Sequence, residues 1–483
     1  MYSLLFLGVL SFFLALVLTP LVRNRFRRWG MVDRPDAGRK HHDHPVPRVG
    51  GIPLFVAYLC SFGLLALTPL SAGNIVAGAL PFALRLLPAV LIVFATGLLD
   101  DLVSLKPWQK LVGQVAAAGA AYWAGVHVQA FGGHHFAAWW SLPLTLLWLV
   151  LCTNAVNLID GVDGLAAGVG LFAAFTMLLA ALLGNNFPLA IATVPLVGCL
   201  LGFLRFNFNP ATIFLGDSGS LFVGFLLGCY GVLWSEKSAT ILGMTAPLMA
   251  LSIPLLDTAL AIVRRFLRNQ PIFAADRGHI HHRLLDRGLT PRKVALVFYA
   301  LCSIAATFSL CMASQHFEGL VVVLFCAAAW IGIQHLGYVE FGVAGRMFAT
   351  GAFRSHLNNQ IDLRTFEAAL AAGTTSEDRW RTICDACRKF GFTHVELLLN
   401  GHRFEETLVE TNGNPVWTLD IPLAHEGFLQ LTRCFGESRV PTVLVPFAEA
   451  LHKHLSVNGA LPATAAPVGQ LKSAKRKSAT AGV

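Results

Sequence analysis

Apolar runs recur along the chain at 2–22, 52–70, 84–99, 111–128, 142–156, 165–183, 190–204, 221–234, 241–263, 294–313 and 320–336. Most approach the roughly 17 to 25 residues that a membrane-spanning helix needs, so the pattern predicts about eleven spans. It therefore predicts an all-α polytopic membrane domain over 1–345. Beyond that point the spacing turns amphipathic. Thr375 and Asp378 stand as a capping pair, and Trp380, Ile383, Cys384, Cys387 and Phe390 follow at helical spacing on one face. Residues 395–399 read as a strand, Trp417, Leu419, Ile421 and Leu423 alternate as another, and 447–455 suggest a helix. These elements predict a small cytoplasmic α+β domain within 346–458, followed by a disordered basic tail over 459–483.

Composition supports the membrane reading: 55% of the 483 residues are hydrophobic, 13% are charged and the mean hydropathy is +0.62. A soluble globular protein is excluded on those values. Lys and Arg mark one side of the bilayer. Arg23, Arg25, Arg27, Arg28, Arg34, Arg39, Lys40 and Arg48 follow the first run, and Lys106, Lys110, Arg205 and the basic residues of 264–293 fall on the same side. The intervening loops 71–82, 127–140 and 184–188 hold none, and 235–240 holds only Lys237. The positive-inside rule then predicts an amino terminus outside and a carboxyl terminus in the cytoplasm. Because its basic residues follow it, the first run is expected to be an anchor rather than a cleaved signal peptide. The ten cysteines imply no disulfide framework, and Cys384-x-x-Cys387 fits helix packing better than a zinc site.

Against this background the polar interruptions stand out. The stretch Arg205 to Leu221 is glycine-punctuated, broken by Pro210, and carries Asp217 between two apolar runs. A carboxylate at the bilayer centre costs about 2.5–3.5 kcal/mol or more, so Asp217 is expected to face a polar cavity at the membrane edge.

Four other loops on the same side carry candidate chemistry. Arg39 to Gly51 is basic and ends in Pro-x-Pro-Arg-x-Gly-Gly, which suits phosphate recognition beyond a topology signal. Asp100 and Asp101 are adjacent acids, which resist joint ionisation unless Mg²⁺, a nearby Lys or a shared proton relieves them. Asn154, Asn157, Asp160 and Asp163 lie in one turn region with Gly161, Gly164 and Gly168, which permit close backbone approach to a ligand. Finally, Asp276-Arg-Gly-His-Ile-His-His-Arg283 is basic and histidine-rich. His281 and His282 are adjacent, a poor zinc arrangement, whereas His and Arg donate well to phosphate oxygens. Acids for a hard cation beside donors for a diphosphate describe phosphoryl transfer, and the membrane setting suggests a lipid substrate.

In order and spacing these stretches resemble the motifs of the polyprenyl-phosphate N-acetylhexosamine-1-phosphate transferases, over about residues 20 to 300. The resemblance implies transfer of N-acetylhexosamine 1-phosphate, with GlcNAc favoured over GalNAc, from a UDP-sugar to undecaprenyl phosphate, releasing UMP. It implies Mg²⁺ as cofactor, with Mn²⁺ as a substitute, and a bacterial inner membrane location with the site on the cytoplasmic face. The product would start a surface polysaccharide. No nucleic acid partner is expected, and a homodimer is allowed. Position by position, Asp217 and Asn157 would hold the metal, Asp100 would deprotonate or orient the lipid phosphate, and Asp101 would support the cluster. Asp160 would lie near the metal and diphosphate, Asp163 would read the uracil edge, and His279, His281 and His282 with Arg277 would clamp the diphosphate and sugar. Lys40, His42 and Arg48 would stand at the mouth of the site, and Lys110, Asn154, Asn209, Phe214 and Arg265 complete the expected substrate-binding set.

The competing reading is a secondary transporter, whose carboxylates would relay protons or bind cations. It lacks the internal repeat such folds show, and here the acids gather on one side.

Overall fold

The computed structural model describes residues 2–33, 45–68, 72–128, 130–131, 134–135, 137–237, 245–267, 278–311, 318–335, 352–373, 375–399, 401–410, 415–423, 427–434 and 444–457. The chain divides into two compact units, 1–338 and 339–483.

The first unit is helical: α1 Tyr2–Arg28, α2 Gly51–Ala66, α3 Ala72–Val103, α4 Pro107–Ala124, α5 Ala138–Leu158, α6 Leu165–Leu183, α7 Phe187–Asn207, α8 Gly216–Lys237, α9 Thr245–Ala250, α10 Ser252–Leu267, α11 Ile280–Asp286, α12 Pro291–Cys311 and α13 Glu318–His335. A two-residue hairpin, β1 Ala130–Phe131 and β2 His134–His135, lies between α4 and α5. Among the described residues, seven helices are long and apolar enough to cross a membrane: α1, α3, α5, α6, α7, α8 and α12. The loop expected over 71–82 is instead helical from Ala72, because the apolar run continues upstream and Pro81 and Pro88 are carried inside one long helix.

α8 is the buried axis of this unit, packed by α2, α3, α5 and α6. Its polar ties are few and specific. The Tyr58 and Tyr230 hydroxyls meet at 2.6 Å, and Tyr230 donates to the Ala192 carbonyl at 2.9 Å, joining α2, α7 and α8. Trp148 Nε1 donates to the Gly228 carbonyl at 2.9 Å, fixing α5 on α8. Such pairings satisfy groups that hydrocarbon would leave unsatisfied. α1 crosses α7 closely because Gly198 has no side chain: a Cβ there would lie 2.1 Å from Ser11 Oγ.

The second unit contains α14 Ala352–Ala372, α15 Ser376–Lys389, strands β3 His394–Leu399, β4 His402–Thr407, β5 Val416–Pro422 and β6 Phe428–Cys434, and α16 Leu444–Val457. The antiparallel sheet runs β4-β3-β6-β5. Thr375 caps α15 by accepting from the Asp378 N–H at 3.1 Å. Cys384 and Cys387 are buried with Phe366, Phe390, Leu397, Leu431 and Phe447 in the core. Burial, with Glu406 beside it, pushes the Cys384 thiol up to about 12. The alternating strand expected around 417–423 is β5, while β4 and β6 were not among the predicted elements.

Candidate active site

The site is built on the first turn of α8. Gly216 turns the chain at φ +70°, and a Cβ there would lie 2.4 Å from the Arg48 carbonyl oxygen and 2.7 Å from Asp101 Oδ2, so glycine is required. Asp101, at the end of α3, then caps α8 from outside. Its Oδ1 accepts the Asp217 N–H at 2.8 Å, and its Oδ2 accepts the Ser218 N–H at 2.9 Å and the Ser218 hydroxyl at 2.6 Å. Asp101 thus satisfies two opening amides of the helix, where the dipole favours negative charge.

Held this way, the Asp217 side chain meets the ammonium of Lys110, which also pairs with Asp100 Oδ2 at 3.1 Å. Asp100 Oδ1 accepts from the Leu105 N–H at 2.9 Å, fixing the turn between α3 and α4. Asn157 donates to Ser220 Oγ at 2.8 Å, in the same turn of α8 as Asp217. Burial, then the neighbouring Asp217 carboxylate, holds the Asp160 carboxyl well above its ordinary range, with Arg48 opposing. Asp100, Asp101, Asn157, Asp160, Asp217 and Lys110, far apart in sequence, therefore form one cluster.

The donors at its heart are oxygens of Asp217, Asn157 and Asp100, hard ligands of the type that Mg²⁺ takes. Among the described residues no group of three His, Cys, Asp or Glu side chains is arranged to cage a metal.

Asp163 faces a different loop. Its Oδ2 accepts from Asn209 Nδ2 at 3.0 Å and the Ala211 N–H at 2.9 Å, bracing the segment that contains the cis Asn209–Pro210 bond. Arg23 donates to Thr212 Oγ1 at 3.2 Å and Arg27 to the Thr212 carbonyl at 3.1 Å, so these arginines anchor the site's loop. The Arg48 segment lies alongside: Phe214 N–H donates to the Pro47 carbonyl at 2.9 Å, and Gly50 N–H to the Phe214 carbonyl at 3.0 Å. The Gly-Gly of this segment serves packing. A Cβ on Gly51 would lie 2.4 Å from the Gly219 nitrogen. Asn154 pairs its amide with Gln114, donating at 2.6 Å and accepting at 3.2 Å, and so joins α5 to α4.

The histidine loop packs inward. His279 Nδ1 lies 3.0 Å from Asp257 Oδ2, and the Ile280 N–H donates to Asp257 Oδ1 at 2.8 Å. His281 is 1% exposed, with ring centroids 5.7 Å from His279 and 4.2 Å from His282. Burial, then His282, pushes the His281 imidazole down to about 3, so it is neutral. A Cβ on Gly161 would lie 2.9 Å from His281 Nε2, which places this loop directly on the turn that carries Asp160. Arg264 donates to the Gly278 carbonyl at 2.9 Å, and Arg265 is buried beside it in sequence. His282 is the more exposed of the three histidines. Lys40, His42 and Arg277 lie outside the described residues.

Asp257, Gln114 and Ser218 were not among the predicted site residues. For Asp257 the signal was present: a lone acid in the apolar run of α10, where an ionisable side chain is expensive.

The profile for glycosyl transferase family 4 matches residues 83–235, which span Asp100 to Asp217. A probable undecaprenyl-phosphate N-acetylglucosaminyl 1-phosphate transferase of Bacillus subtilis is 36% identical over 61% of this chain and 80% of its own length. A decaprenyl-phosphate N-acetylglucosaminephosphotransferase of Mycobacterium leprae is 33% identical over 56% of this chain and 73% of its own length. An undecaprenyl-phosphate alpha-N-acetylglucosaminyl 1-phosphate transferase of Thermotoga maritima is 31% identical over 66% of this chain and 93% of its own length. Relatives matched at more than 30% identity over more than two thirds of their own length show that the chain belongs to glycosyl transferase family 4.

Proposed function

We propose that this protein transfers GlcNAc 1-phosphate from UDP-GlcNAc to undecaprenyl phosphate, releasing UMP and starting a lipid-linked surface polysaccharide. The observation that carries the reading is the convergence of Asp100, Asp101, Asp160 and Asp217 with Lys110 at the first turn of α8. The names of its relatives supply the substrate class.

In the reaction, an oxygen of the lipid phosphate attacks the β-phosphorus of the UDP-sugar. The bond from that phosphorus to the bridging oxygen breaks, and the electron pair leaves with UMP. Because the second pKa of a phosphate monoester is about 6, the nucleophile is largely ionised at neutral pH and needs little base catalysis. Asp100 takes any residual proton, and Lys110, already between Asp100 and Asp217, supplies positive charge for an incoming phosphate. Asp217 and Asn157 would hold Mg²⁺, which would neutralise charge on the diphosphate. His282 and the basic residues of its loop clamp the diphosphate.

Beside the seven long apolar helices, we read α2, α4, α10 and α13 as four further crossings. Basic residues gather at the helix ends that carry the acids, which supports a site on the cytoplasmic face of a bacterial inner membrane. Membranes holding the protein, supplied with labelled UDP-GlcNAc, Mg²⁺ and undecaprenyl phosphate, should form a labelled lipid. No labelled lipid from any UDP-N-acetylhexosamine would end this reading.

A further inference from the structure

Asp257 belongs to none of the motifs discussed above, yet it is 1% exposed on α10 with both carboxylate oxygens engaged. A buried carboxylate is costly unless its partners are well placed. Here Oδ2 receives His279 Nδ1 at 3.0 Å, and Oδ1 receives the Ile280 N–H at 2.8 Å. Ile280 opens α11, whose N-cap residue His279 supplies no side-chain cap of its own. Asp257 provides that acceptor from a different helix, as Asp101 does for α8.

The same Oδ2 lies 4.0 Å from His281 Nδ1, a buried atom with no hydrogen-bond partner among the described residues. On its other side, His281 Nε2 is set so closely against Gly161 that a single methyl there would stand 2.9 Å away. Asp257, His279, His281 and Gly161 thus form a continuous bracket from α10 to the turn bearing Asn157, Asp160 and Asp163.

We propose that Asp257 is a positioning residue for the UDP-sugar. It fixes the orientation of the His279 ring through Nδ1, and it seats His281 on Gly161. The histidine loop is thereby docked on the acid-bearing turn before the donor enters. In metal sites, loss of the carboxylate that orients a histidine ring typically costs about 10- to 100-fold in affinity or activity, and the same scale is taken for this ring. The proposal rests on the reading of this loop as the diphosphate clamp.

The test is steady-state kinetics on the full-length protein in membranes, with the KM for UDP-GlcNAc and for undecaprenyl phosphate determined separately. Asp257→Asn, which keeps the shape and removes the charge, should raise the KM for UDP-GlcNAc about tenfold and leave that for undecaprenyl phosphate unchanged. Asp257→Glu, which keeps the charge, should fall between Asn and wild type. A merely structural role would lower the amount of inserted protein without separating the two KM values. Unchanged KM values in Asp257→Asn, or a parallel rise for both substrates, would overturn the proposal. So would an Asp257→Asn that fails to accumulate alongside an Asp257→Glu with wild-type KM values. If wild type itself forms no lipid product, the proposed function fails, an outcome distinct from wild-type turnover with indifferent Asp257 variants.

Discussion

The carboxylate of Asp101 accepts the backbone N–H of Asp217 at 2.8 Å, so one acid of the site is aimed by another. Asp101 also takes two bonds from Ser218, which leaves it as a support for the first turn of α8. Replacing it by Asn keeps one acceptor and leaves a buried donor unmatched, at about 1–3 kcal/mol. Asp101→Asn is expected to lower the thermal midpoint in detergent and to reduce turnover about 10- to 100-fold. Asp217→Asn should lower turnover further while leaving insertion and thermal midpoint near wild type. Near-normal turnover in Asp217→Asn would remove that residue from the metal site.

Gly161 offers a local test of the packing between the acid turn and the histidine loop. A Cβ there would stand 2.9 Å from His281 Nε2, and His281 has little room to retreat because His279 and His282 flank its ring. Gly161→Ala is expected to cost about 1–3 kcal/mol, as overpacking does. Gly63→Ala, on an exposed face of α2 with nothing within 4 Å of its Cβ position, serves as the control and should hold or raise the midpoint.

The buried His281 gives stability a defined pH dependence. Its imidazole is held at about 3 against an ordinary 6.5, so between those values the unfolded chain binds a proton that the folded chain refuses. Stability from this group therefore rises with pH across that window and is lost as pH falls below 6.5, by at most about 1.4 kcal/mol per pH unit. Thermal midpoints measured from pH 7 to pH 5 should fall more steeply for wild type than for His281→Gln. Equal slopes would show that His281 titrates freely.

The second unit has its own hydrophobic core and sheet, and the acid cluster lies wholly within the first. A chain ending near residue 345 is expected to retain turnover within about threefold of the full length, a difference under about 1 kcal/mol in barrier. Loss of turnover by a truncated chain that still inserts would assign the second unit a catalytic part.

Much of this was legible in the sequence for identifiable reasons. Charge inside an apolar run is costly, so Asp100, Asp101, Asp160 and Asp217 announced a site before any geometry was known. The span expected over 165–183 coincides with α6, since nothing interrupts its hydropathy. Partnership was not legible. Asp101 reads as a support and Asp163 as a ligand-facing group, but the sequence does not show that their bonds go to α8 and to the Asn209 loop, contacts more than 40 residues distant. Asp257 was passed over because it stands alone in α10 and gains its meaning from His279 and His281. In the second unit, β4 was hidden by its charged composition, His402-Arg-Phe-Glu-Glu-Thr407, whose alternating burial emerges once it pairs with β3.

The central claim is phosphoryl transfer to a lipid phosphate, as opposed to transfer of the sugar alone. UDP-GlcNAc labelled in its β-phosphate distinguishes the two directly. The account predicts that this label enters the undecaprenyl-linked product and that UMP is released in equal amount. Release of UDP, with the β-phosphate label remaining in the nucleotide, would contradict it.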